Sequence, residues 1–195
     1  PGWKLAPAVK GWGRPELPAS YDAERRPIGL RTVAEASRNL RRMLSTRERL
    51  PGPEIFRPGA TNDAARKDYG DWFAAIMRHE WFANGVMMGY WYENSPIIRA
   101  DGTPAPPELS HPYVQTARPG ARAPHVWIGE NRSTLDLFGR GFVLLRFPGA
   151  PDGTALRAAA ASRGLPYDEA FLVDAETAAG YERKLWLLAP DGHGA

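Results

Sequence analysis

A proline-rich segment between residues 101 and 125 constrains the fold of this 195-residue chain more than any other feature. It has few apolar residues and six prolines, namely Pro104, Pro106, Pro107, Pro112, Pro119 and Pro124. Because proline lacks a backbone N–H and fixes φ, such a segment cannot form a helix or a central strand. We therefore expect residues 101–125 to be an extended connector between a first domain, residues 1–100, and a second, residues 126–195.

The first domain is predicted to be mainly helical. One helix is expected from Ser20, its N-cap, with a kink or restart at Pro27, and another from about Asp63 to Asn84. The second helix carries the aromatic residues Tyr69, Trp72, Phe73, Trp81 and Phe82. So much aromatic surface predicts core packing or contact with a neighbouring domain, and the wall of an aromatic-substrate pocket is the alternative. Alternation over residues 86–92 predicts a strand covered on both sides.

The second domain alternates short strands and helices. The predicted strands are Val126–Ile128, Gly141–Phe147, Ala170–Val173 and Lys184–Leu188, the predicted helix is Thr154–Arg163, and the predicted turn is Pro190–Gly192. Ser133 and Asp136 have the spacing of a helix-capping box. A strand–helix–strand unit followed by a hairpin predicts a small α/β sandwich of the thioredoxin type. We expect this domain to be truncated, because Ala195 stands where the returning hairpin strand should begin.

The charge balance does not favour a nucleic-acid-binding protein. The chain has 25 Lys and Arg against 22 Asp and Glu, a net charge of +3. Its densest basic group is Arg38, Arg41, Arg42, Arg47 and Arg49. Because Glu35 and Glu48 lie among these arginines, we predict a solvated or acid-paired helix face and no nucleic-acid partner.

Cysteine is absent, so disulfides, thiolate metal sites and thiol redox chemistry are excluded for this chain. No apolar run approaches the ~20 residues that cross a bilayer, and no signal-peptide pattern opens the sequence, so we expect a cytoplasmic protein without membrane contact. His79 lacks a second histidine at the spacing of a helical zinc site. His111 and His125 lie in the predicted connector, and we predict no metal site.

The known catalytic motifs are missing. Gly139-Arg140-Gly141 precedes a strand, whereas a phosphate-binding glycine loop follows a strand and opens a helix. No Gly-x-Ser-x-Gly motif occurs. The residues alone therefore predict no self-contained active site, with no catalytic and no cofactor-binding residue in this chain. They are compatible with a non-catalytic structural or partner-binding module.

Several segments resemble, in the same order, the C-terminal part of the FAD-dependent aromatic hydroxylases. These single-component flavoprotein monooxygenases are related to phenol hydroxylase and to polyketide hydroxylases. The similar segments are Pro1–Ala6 (PGWKLA), Tyr21–Pro27 (YDAERRP), Gly89–Pro96 (GYWYENSP), Ala117–His125 (ARPGARAPH), Asp136–Leu145, Tyr181–Lys184 and Pro190–His193 (PDGH). Because they extend over nearly the whole chain in order, chance similarity is improbable.

The resemblance implies a mixed α/β protein in two parts. Residues 1–100 would supply helices and a strand that complete an FAD- and substrate-binding body, and residues 126–195 would be a thioredoxin-like domain without redox cysteines. FAD would be bound mainly by an upstream, N-terminal FAD-binding portion of the same protein. A start at Pro1 inside a predicted helix fits such a missing portion. A homodimer is also compatible with the resemblance.

The activity implied by the resemblance is hydroxylation of an aromatic, phenolic or polyketide substrate with NAD(P)H and O2. Baeyer–Villiger oxidation, which some relatives perform, stays open. The segment alone would be inactive. Tyr90 and Tyr92 are the candidates for the substrate side, against packing in the strand core, and Trp3 and Lys4 could buttress the flavin loop.

Overall fold

The computed structural model describes residues 2–195 as a mixed α/β fold. The α-helices are α1 (Gly2–Val9), α2 (Glu16–Ser45), α3 (Ala60–Trp81), α4 (Asn84–Met87), α5 (Thr154–Ala161) and α6 (Ala175–Tyr181). The strands are β1 (Trp127–Gly129), β2 (Arg132–Ser133), β3 (Phe142–Arg146), β4 (Tyr167–Phe171) and β5 (Leu185–Leu188). Short 3-10 helices cover Thr46–Glu48, Pro53–Phe56 and Thr134–Leu137. No helix among residues 2–195 is both long and apolar enough to span a bilayer.

The chain forms two compact units, and the sequence passes between them more than once. The sheet unit contains residues 2–28, 89–108 and 114–195, and the helical unit contains residues 29–88 and 109–113. These units describe how this chain packs. The predicted boundary in residues 101–125 concerns the domains of an intact protein, and it stays a prediction.

The sheet unit is built around β3. This strand pairs in parallel with β4 and antiparallel with β5, which gives the order β4-β3-β5. Its residues Val143, Leu144 and Leu145 are buried, because a central strand covered on both faces needs a continuous apolar run. Helix α5 makes the crossover that the parallel pair requires. The strand–helix–strand unit is confirmed, and the thioredoxin-like arrangement stays a prediction.

Aromatic side chains fill the core beside this sheet. Tyr181, at the end of α6, is fully buried and its hydroxyl donates to the Pro124 carbonyl oxygen at 2.9 Å. Its ring centre lies 5.3 Å from that of Phe147 and 6.0 Å from that of Trp186. The predicted capping box at Ser133 is confirmed, since its N–H donates to the Asp136 carboxylate at 2.6 Å. By donating to a backbone carbonyl, the buried Tyr181 hydroxyl avoids the cost of an unpaired polar group.

The predicted turn at Pro190–Gly192 is also confirmed. The Gly192 N–H donates to the Ala189 carbonyl at 2.9 Å, and Gly192 has φ of +77°, a conformation that favours glycine. Ala189 then donates to the His193 carbonyl, and Ala195 donates to the Leu187 carbonyl, both at 2.9 Å. Residues 193–195 therefore return antiparallel along β5.

The helical unit presents much of its apolar surface to solvent. Helix α3 has no buried side chain, and Trp81 at its end is 75% exposed. The Tyr69 ring packs on Trp72 and Phe73 along the same helix, with centres 5.5 and 6.1 Å apart. Other large exposed side chains of this unit are Leu30, Val33, Leu40, Met43, Phe56, Phe82 and Met87. These apolar side chains are therefore not covered by other residues of the helical unit.

The predicted strand over residues 86–92 is wrong. Residues 84–87 form α4, and the backbone of Gly85 packs so tightly that a Cβ there would lie 2.1 Å from the Leu109 carbonyl oxygen. The Gly85 N–H also donates to the Ser110 carbonyl at 3.0 Å. Beyond α4, Trp91 makes only an isolated bridge to Ala121. The alternation in this segment arises from packing against loops.

Helix boundaries differ from the predictions at other points. Helix α2 starts at Glu16, and Ser20 lies inside it with its hydroxyl donating to the Leu17 carbonyl at 2.7 Å, so Ser20 is no N-cap. The same helix continues through Pro27, and the predicted restart there does not occur. Helix α3 ends at Trp81, three residues before the predicted end. Residues 101–125 contain no helix or strand, as predicted.

Candidate functional site

Four of the segments noted in the sequence meet in the sheet unit. Helix α1 contributes Lys4, the first half of α2 contributes Glu24 and Arg25, and the loop after α4 contributes residues 89–96. The Pro190–His193 turn supplies the fourth part. Residues far apart in sequence are thereby brought into one polar and aromatic cluster, which is our candidate site.

A buried ion pair forms one side of this cluster. The Lys4 ammonium contacts the Glu24 carboxylate and donates to the Ser20 hydroxyl at 2.5 Å. The Ser95 hydroxyl donates to the other Glu24 oxygen at 2.6 Å. Lys4 and Glu24 are only 1% and 2% exposed, so each charge depends on these partners for the hydration it has lost. The pair fixes α1, α2 and the loop at Ser95 against one another.

Tyr90 and Tyr92 lie beside this ion pair, and Arg25 holds both. The Arg25 Nη1 donates to the Tyr90 hydroxyl at 3.2 Å and to the Tyr92 hydroxyl at 3.3 Å. The hydrogen bond to Tyr92 is the main reason that the pKa of Arg25 is raised. Burial raises the pKa of Tyr92 and outweighs the opposing effect of Arg25. The Tyr92 phenol is therefore a neutral hydrogen-bonding group at physiological pH.

The His193 imidazole stacks on the two tyrosines. Its ring centre is 4.5 Å from that of Tyr92 and 5.3 Å from that of Tyr90, with interplanar angles of 27°. His193 is 5% exposed and Tyr92 4% exposed, whereas Tyr90 is half-buried. Of the two tyrosines predicted for the substrate side, Tyr90 is thus the more accessible.

The Ala117–His125 segment packs against the cluster through backbone hydrogen bonds. The Tyr92 N–H donates to the Gly120 carbonyl at 2.9 Å, and the Gly120 N–H donates to the Gly194 carbonyl at 2.9 Å. Gly120 has φ of +82°, and a Cβ there would lie 2.2 Å from the Tyr92 carbonyl oxygen. Only glycine allows the two backbones to approach this closely.

A cavity of about 320 Å³ opens beside the stacked rings. It is lined by Tyr90, Arg122, Leu135, Phe138, Gly139, Pro190, Asp191, Gly192 and His193. Asp191 lies 3.4 Å from His193 Nδ1, which is too long for a good hydrogen bond. Burial raises the pKa of Asp191, but His193 and Trp3 outweigh it, so the pKa is lowered overall. Trp3 Nε1 approaches this carboxylate without full hydrogen-bond geometry.

A wider groove of about 910 Å³ lies elsewhere in the sheet unit. It is lined by the arginines Arg14, Arg99 and Arg163 and by apolar side chains that include Phe142 and Leu187. None of these arginines forms an ion pair within residues 2–195. Across the same residues, no three His, Asp or Glu side chains are grouped to hold a metal ion.

The sequence identified the segments of the site but not its contacts. Arg25, Glu24 and His193 were noted only as parts of motifs, and no local pattern predicts that Arg25 bridges two phenols 65 and 67 residues away. The usable signal was the mixture of charged and aromatic residues inside otherwise separate motif segments. The buttressing role predicted for Trp3 and Lys4 stays a prediction.

Comparison with known proteins supplies the context for this site. No family model matches the chain. An FAD-dependent monooxygenase, apdD, of Emericella nidulans is 30% identical over 98% of this chain and 32% of the relative. The 2,4-dichlorophenol 6-monooxygenase of Delftia acidovorans is 35% identical over 85% of this chain and 32% of the relative. The 4-methyl-5-nitrocatechol 5-monooxygenase of a Burkholderia species is 33% identical over 89% and 28%, respectively.

Solved structures agree along the full length of the chain. Native and K252c-bound RebC-10x superposes with a TM-score of 0.83 and 40% identity, covering 100% of this chain and 36% of that one. A ternary complex of aklavinone-11 hydroxylase with FAD and aklavinone gives a TM-score of 0.66 and 27% identity over 99% and 34%. The chain therefore spans about a third of the length of the proteins that it matches. Along its whole length, the chain is related to FAD-dependent aromatic and polyketide monooxygenases, and it corresponds to about a third of the length of each.

Proposed function

We propose that this chain is the C-terminal third of an FAD-dependent monooxygenase that hydroxylates an aromatic, phenolic or polyketide substrate with NAD(P)H and O2. The observation that carries the proposal is the similarity to FAD-dependent monooxygenases over 98% of the chain in sequence and to RebC-10x over all of it in structure. We further propose that the protein is cytoplasmic and that residues 126–195 form the thioredoxin-like domain.

The residues of this chain do not form an FAD cradle by themselves. The glycine-rich loop that opens a helix and binds a pyrophosphate does not occur in the sequence. We therefore place FAD binding mainly in the remainder of the intact protein, where FAD would supply the redox chemistry of the reaction. This chain would contribute rigid packing, and alone it would be inactive.

The exposed apolar surface of the helical unit supports a partner within the same protein. Trp81, Phe82 and Met87 are large, exposed and close together in sequence, and Phe73 lies two turns before Trp81 on α3. Exposed patches of this kind mark interaction surfaces. We propose that the FAD-binding portion covers this surface, and a homodimer is the alternative arrangement.

Tyr90 and Tyr92 are proposed to face the substrate side, with different roles. Tyr90 lines the 320 Å³ cavity and can touch a bound ring. Tyr92 is too buried for that and would act as a positioning residue, through its stack with His193 and its hydrogen bond from Arg25. In the intact enzyme, Tyr90→Phe should then raise the KM for the aromatic substrate, whereas Tyr92→Phe should lower thermal stability.

The test is made on the complete gene product. The proposal predicts a yellow protein with bound flavin that oxidises NAD(P)H faster when a phenol is added. A colourless protein with no phenol-stimulated NAD(P)H oxidation, even after incubation with FAD, would instead indicate the non-catalytic module.

A further inference from the structure

The 910 Å³ groove of the sheet unit contains arginines without acidic partners. Arg14, Arg99 and Arg163 are all exposed, and none of them forms an ion pair within residues 2–195. Arg163 donates to the Ala159 carbonyl at 3.0 Å, which leaves its charge uncompensated. Among the described residues, no Asp, Glu or Lys side chain lines the groove. Three positive charges therefore stand beside a lining that is otherwise apolar or aromatic.

A smaller, almost wholly apolar pocket of about 220 Å³ adjoins this groove. The two cavities share four lining residues, namely Phe142, Arg163, Leu165 and Leu187. The smaller one is also lined by Leu156 of α5, which is 42% exposed. We call the two cavities together the arginine groove.

The arginine groove lies on the face of the sheet opposite the aromatic core. Phe142 and Leu187 point to the same face, since Leu187 pairs with Leu144 and side chains alternate along a strand. Val143 points to the other face, where it belongs to the buried core. In α/β folds, helices cover both faces of a sheet. Because α5 leaves Leu156 exposed and two cavities beside it, this face has room for a further element.

The composition of the arginine groove is typical of a protein-binding surface. Protein interfaces are enriched in arginine and aromatic residues, are depleted of lysine and glutamate, and have a polar rim around an apolar centre. Trp12, Phe142 and the three arginines match this composition. A small-molecule site instead encloses its ligand and directs a few polar groups inwards, whereas these arginines are exposed. The groove therefore favours a polypeptide segment over a small ligand.

The position and charge of the groove determine the chemistry of that segment. A segment that lies over the face of a sheet, and not along an edge strand, has to satisfy its own backbone hydrogen bonds, as a helix does. An apolar stripe on the helix would pack on Phe142 and Leu187, and Asp or Glu beside the stripe would pair with the guanidinium groups. A second copy of this chain, placed groove against groove, would bring like charges together.

We propose that the arginine groove is the docking site of an acidic amphipathic helix that belongs to the same intact protein but lies outside this chain. The inference rests on the proposed function, because this chain spans about a third of the monooxygenases that it matches. The groove is separate from the exposed surface of α3, since all its lining residues belong to the sheet unit.

The absence of cysteine from this chain provides the test, which is made on the complete gene product. Leu156→Cys places a thiol in the arginine groove, and Ala158→Cys is the matched control, since it is an exposed position of the same helix that lines neither cavity. Alkylation by N-ethylmaleimide is followed by mass spectrometry of the peptide that carries the new cysteine. We expect Leu156→Cys to react at least about tenfold more slowly than Ala158→Cys, because the docked helix has to open first.

Substitution of the arginines tests the charge of the partner. In the Leu156→Cys protein, Arg14→Glu with Arg163→Glu should raise the alkylation rate towards that of Ala158→Cys, because carboxylates of the helix would then be repelled. Arg14→Lys with Arg163→Lys keeps the charge and should retain most of the protection. Both arginines are exposed, so neither pair of substitutions removes a buried contact, and bound flavin reports that each variant is folded.

A photo-cross-linker identifies the partner. Benzoylphenylalanine in place of Leu156 should cross-link to residues of the same protein outside this chain, spaced three and four apart and flanked by Asp or Glu.

Three results would overturn the inference. These are equal alkylation of Leu156→Cys and Ala158→Cys, protection that the two Arg→Glu substitutions leave unchanged, and cross-links that are absent or reach only a second copy of this chain. The proposed monooxygenase function fails by a different measurement, the loss of phenol-stimulated NAD(P)H oxidation, so the two failures are distinguishable.

Discussion

Lys4 and Glu24 lie 20 residues apart in sequence and share a site that excludes water. The pair survives burial because Ser20 and Ser95 supply additional hydrogen bonds to the two charged groups. The ion pair could not be predicted from the sequence, since a single lysine or glutamate on a helix is usually exposed to solvent. Only the packing of α1 on α2 within the sheet unit brings the charges together.

Removal of one charge of this pair should destabilise the chain strongly. Glu24→Gln leaves the Lys4 ammonium buried without an opposite charge, and we expect a loss of about 3–5 kcal/mol in the free energy of unfolding. Denaturant unfolding of the chain measures this loss. Glu16→Gln, an exposed position on the same helix, is the control and should change stability by less than about 0.5 kcal/mol. Equal effects of the two substitutions would contradict a structural role for the pair.

Asp101 provides a pH-dependent contact within the sheet unit. Burial raises its pKa, but hydrogen bonds from Thr103 and Arg183 outweigh this and lower the pKa to about 2 from an ordinary value of 3.8. A lowered carboxyl pKa stabilises the fold above the unfolded value, and this contribution is lost as the pH falls through the folded value. The stability difference between the native chain and Asp101→Asn should therefore be full above about pH 4 and decline towards pH 2.

Thermal unfolding between pH 2 and pH 7 measures this dependence. The control is Asp22→Asn, which removes an exposed carboxylate without a hydrogen bond or ion pair among residues 2–195. A stability difference for Asp101→Asn that is constant over the whole range would show that the contact with Arg183 does not form.

Among the elements, the sequence predicted those that are defined by local patterns. Strand β3 was placed within one residue at each end, because Val143–Leu145 is a continuous apolar run that only a buried strand accommodates. The 86–92 segment was assigned wrongly because its alternating side chains pack against loops, which sequence periodicity cannot distinguish from sheet pairing. The start of α2 was predicted wrongly because the Ser20 hydroxyl accepts a hydrogen bond from the buried Lys4 ammonium and does not cap the helix.

Gly120 shows how the connector is held to the loop at Tyr92. Gly120→Ala would combine an unfavourable φ of +82° with a Cβ placed 2.2 Å from the Tyr92 carbonyl oxygen. Gly102→Ala is a matched control, because Gly102 has φ of +84° but nothing within 4 Å of its Cβ position. We expect about 1–2 kcal/mol of destabilisation at Gly102 from the backbone conformation alone and a clearly larger value at Gly120. Similar losses in denaturant unfolding would contradict the close backbone approach.

At the scale of the whole molecule, the two units differ in how far their apolar side chains are buried. The sheet unit has a buried aromatic and aliphatic core, whereas α3 in the helical unit has no buried side chain. A relation to about a third of each FAD-dependent monooxygenase accounts for this difference, because the remaining two-thirds would provide a cover. The sequence predicted that the α3 rings either lie in a core or pack on a neighbouring domain. The first alternative is wrong for this chain, since α3 has no buried side chain, and the exposure of the rings is compatible with the second.

The exposed end of α3 allows a direct mutational test of this interpretation. Trp81→Ser should change the stability of this chain by no more than about 0.5 kcal/mol, because the side chain is 75% exposed. It should weaken binding to the FAD-binding portion by more than about tenfold, as is usual for a buried interface tryptophan. Glu80→Ser, at the neighbouring exposed position, should weaken binding much less. Equal binding by both variants would exclude α3 from the interface.

The most direct measurement is a titration of the separately produced FAD-binding portion of the complete protein with this chain, followed by phenol-stimulated NAD(P)H oxidation. Our account predicts that the two parts form an equimolar complex and that oxidation rises from near zero to a plateau as the chain is added. An FAD-binding portion that is fully active without the chain, or that does not bind it, would contradict the account.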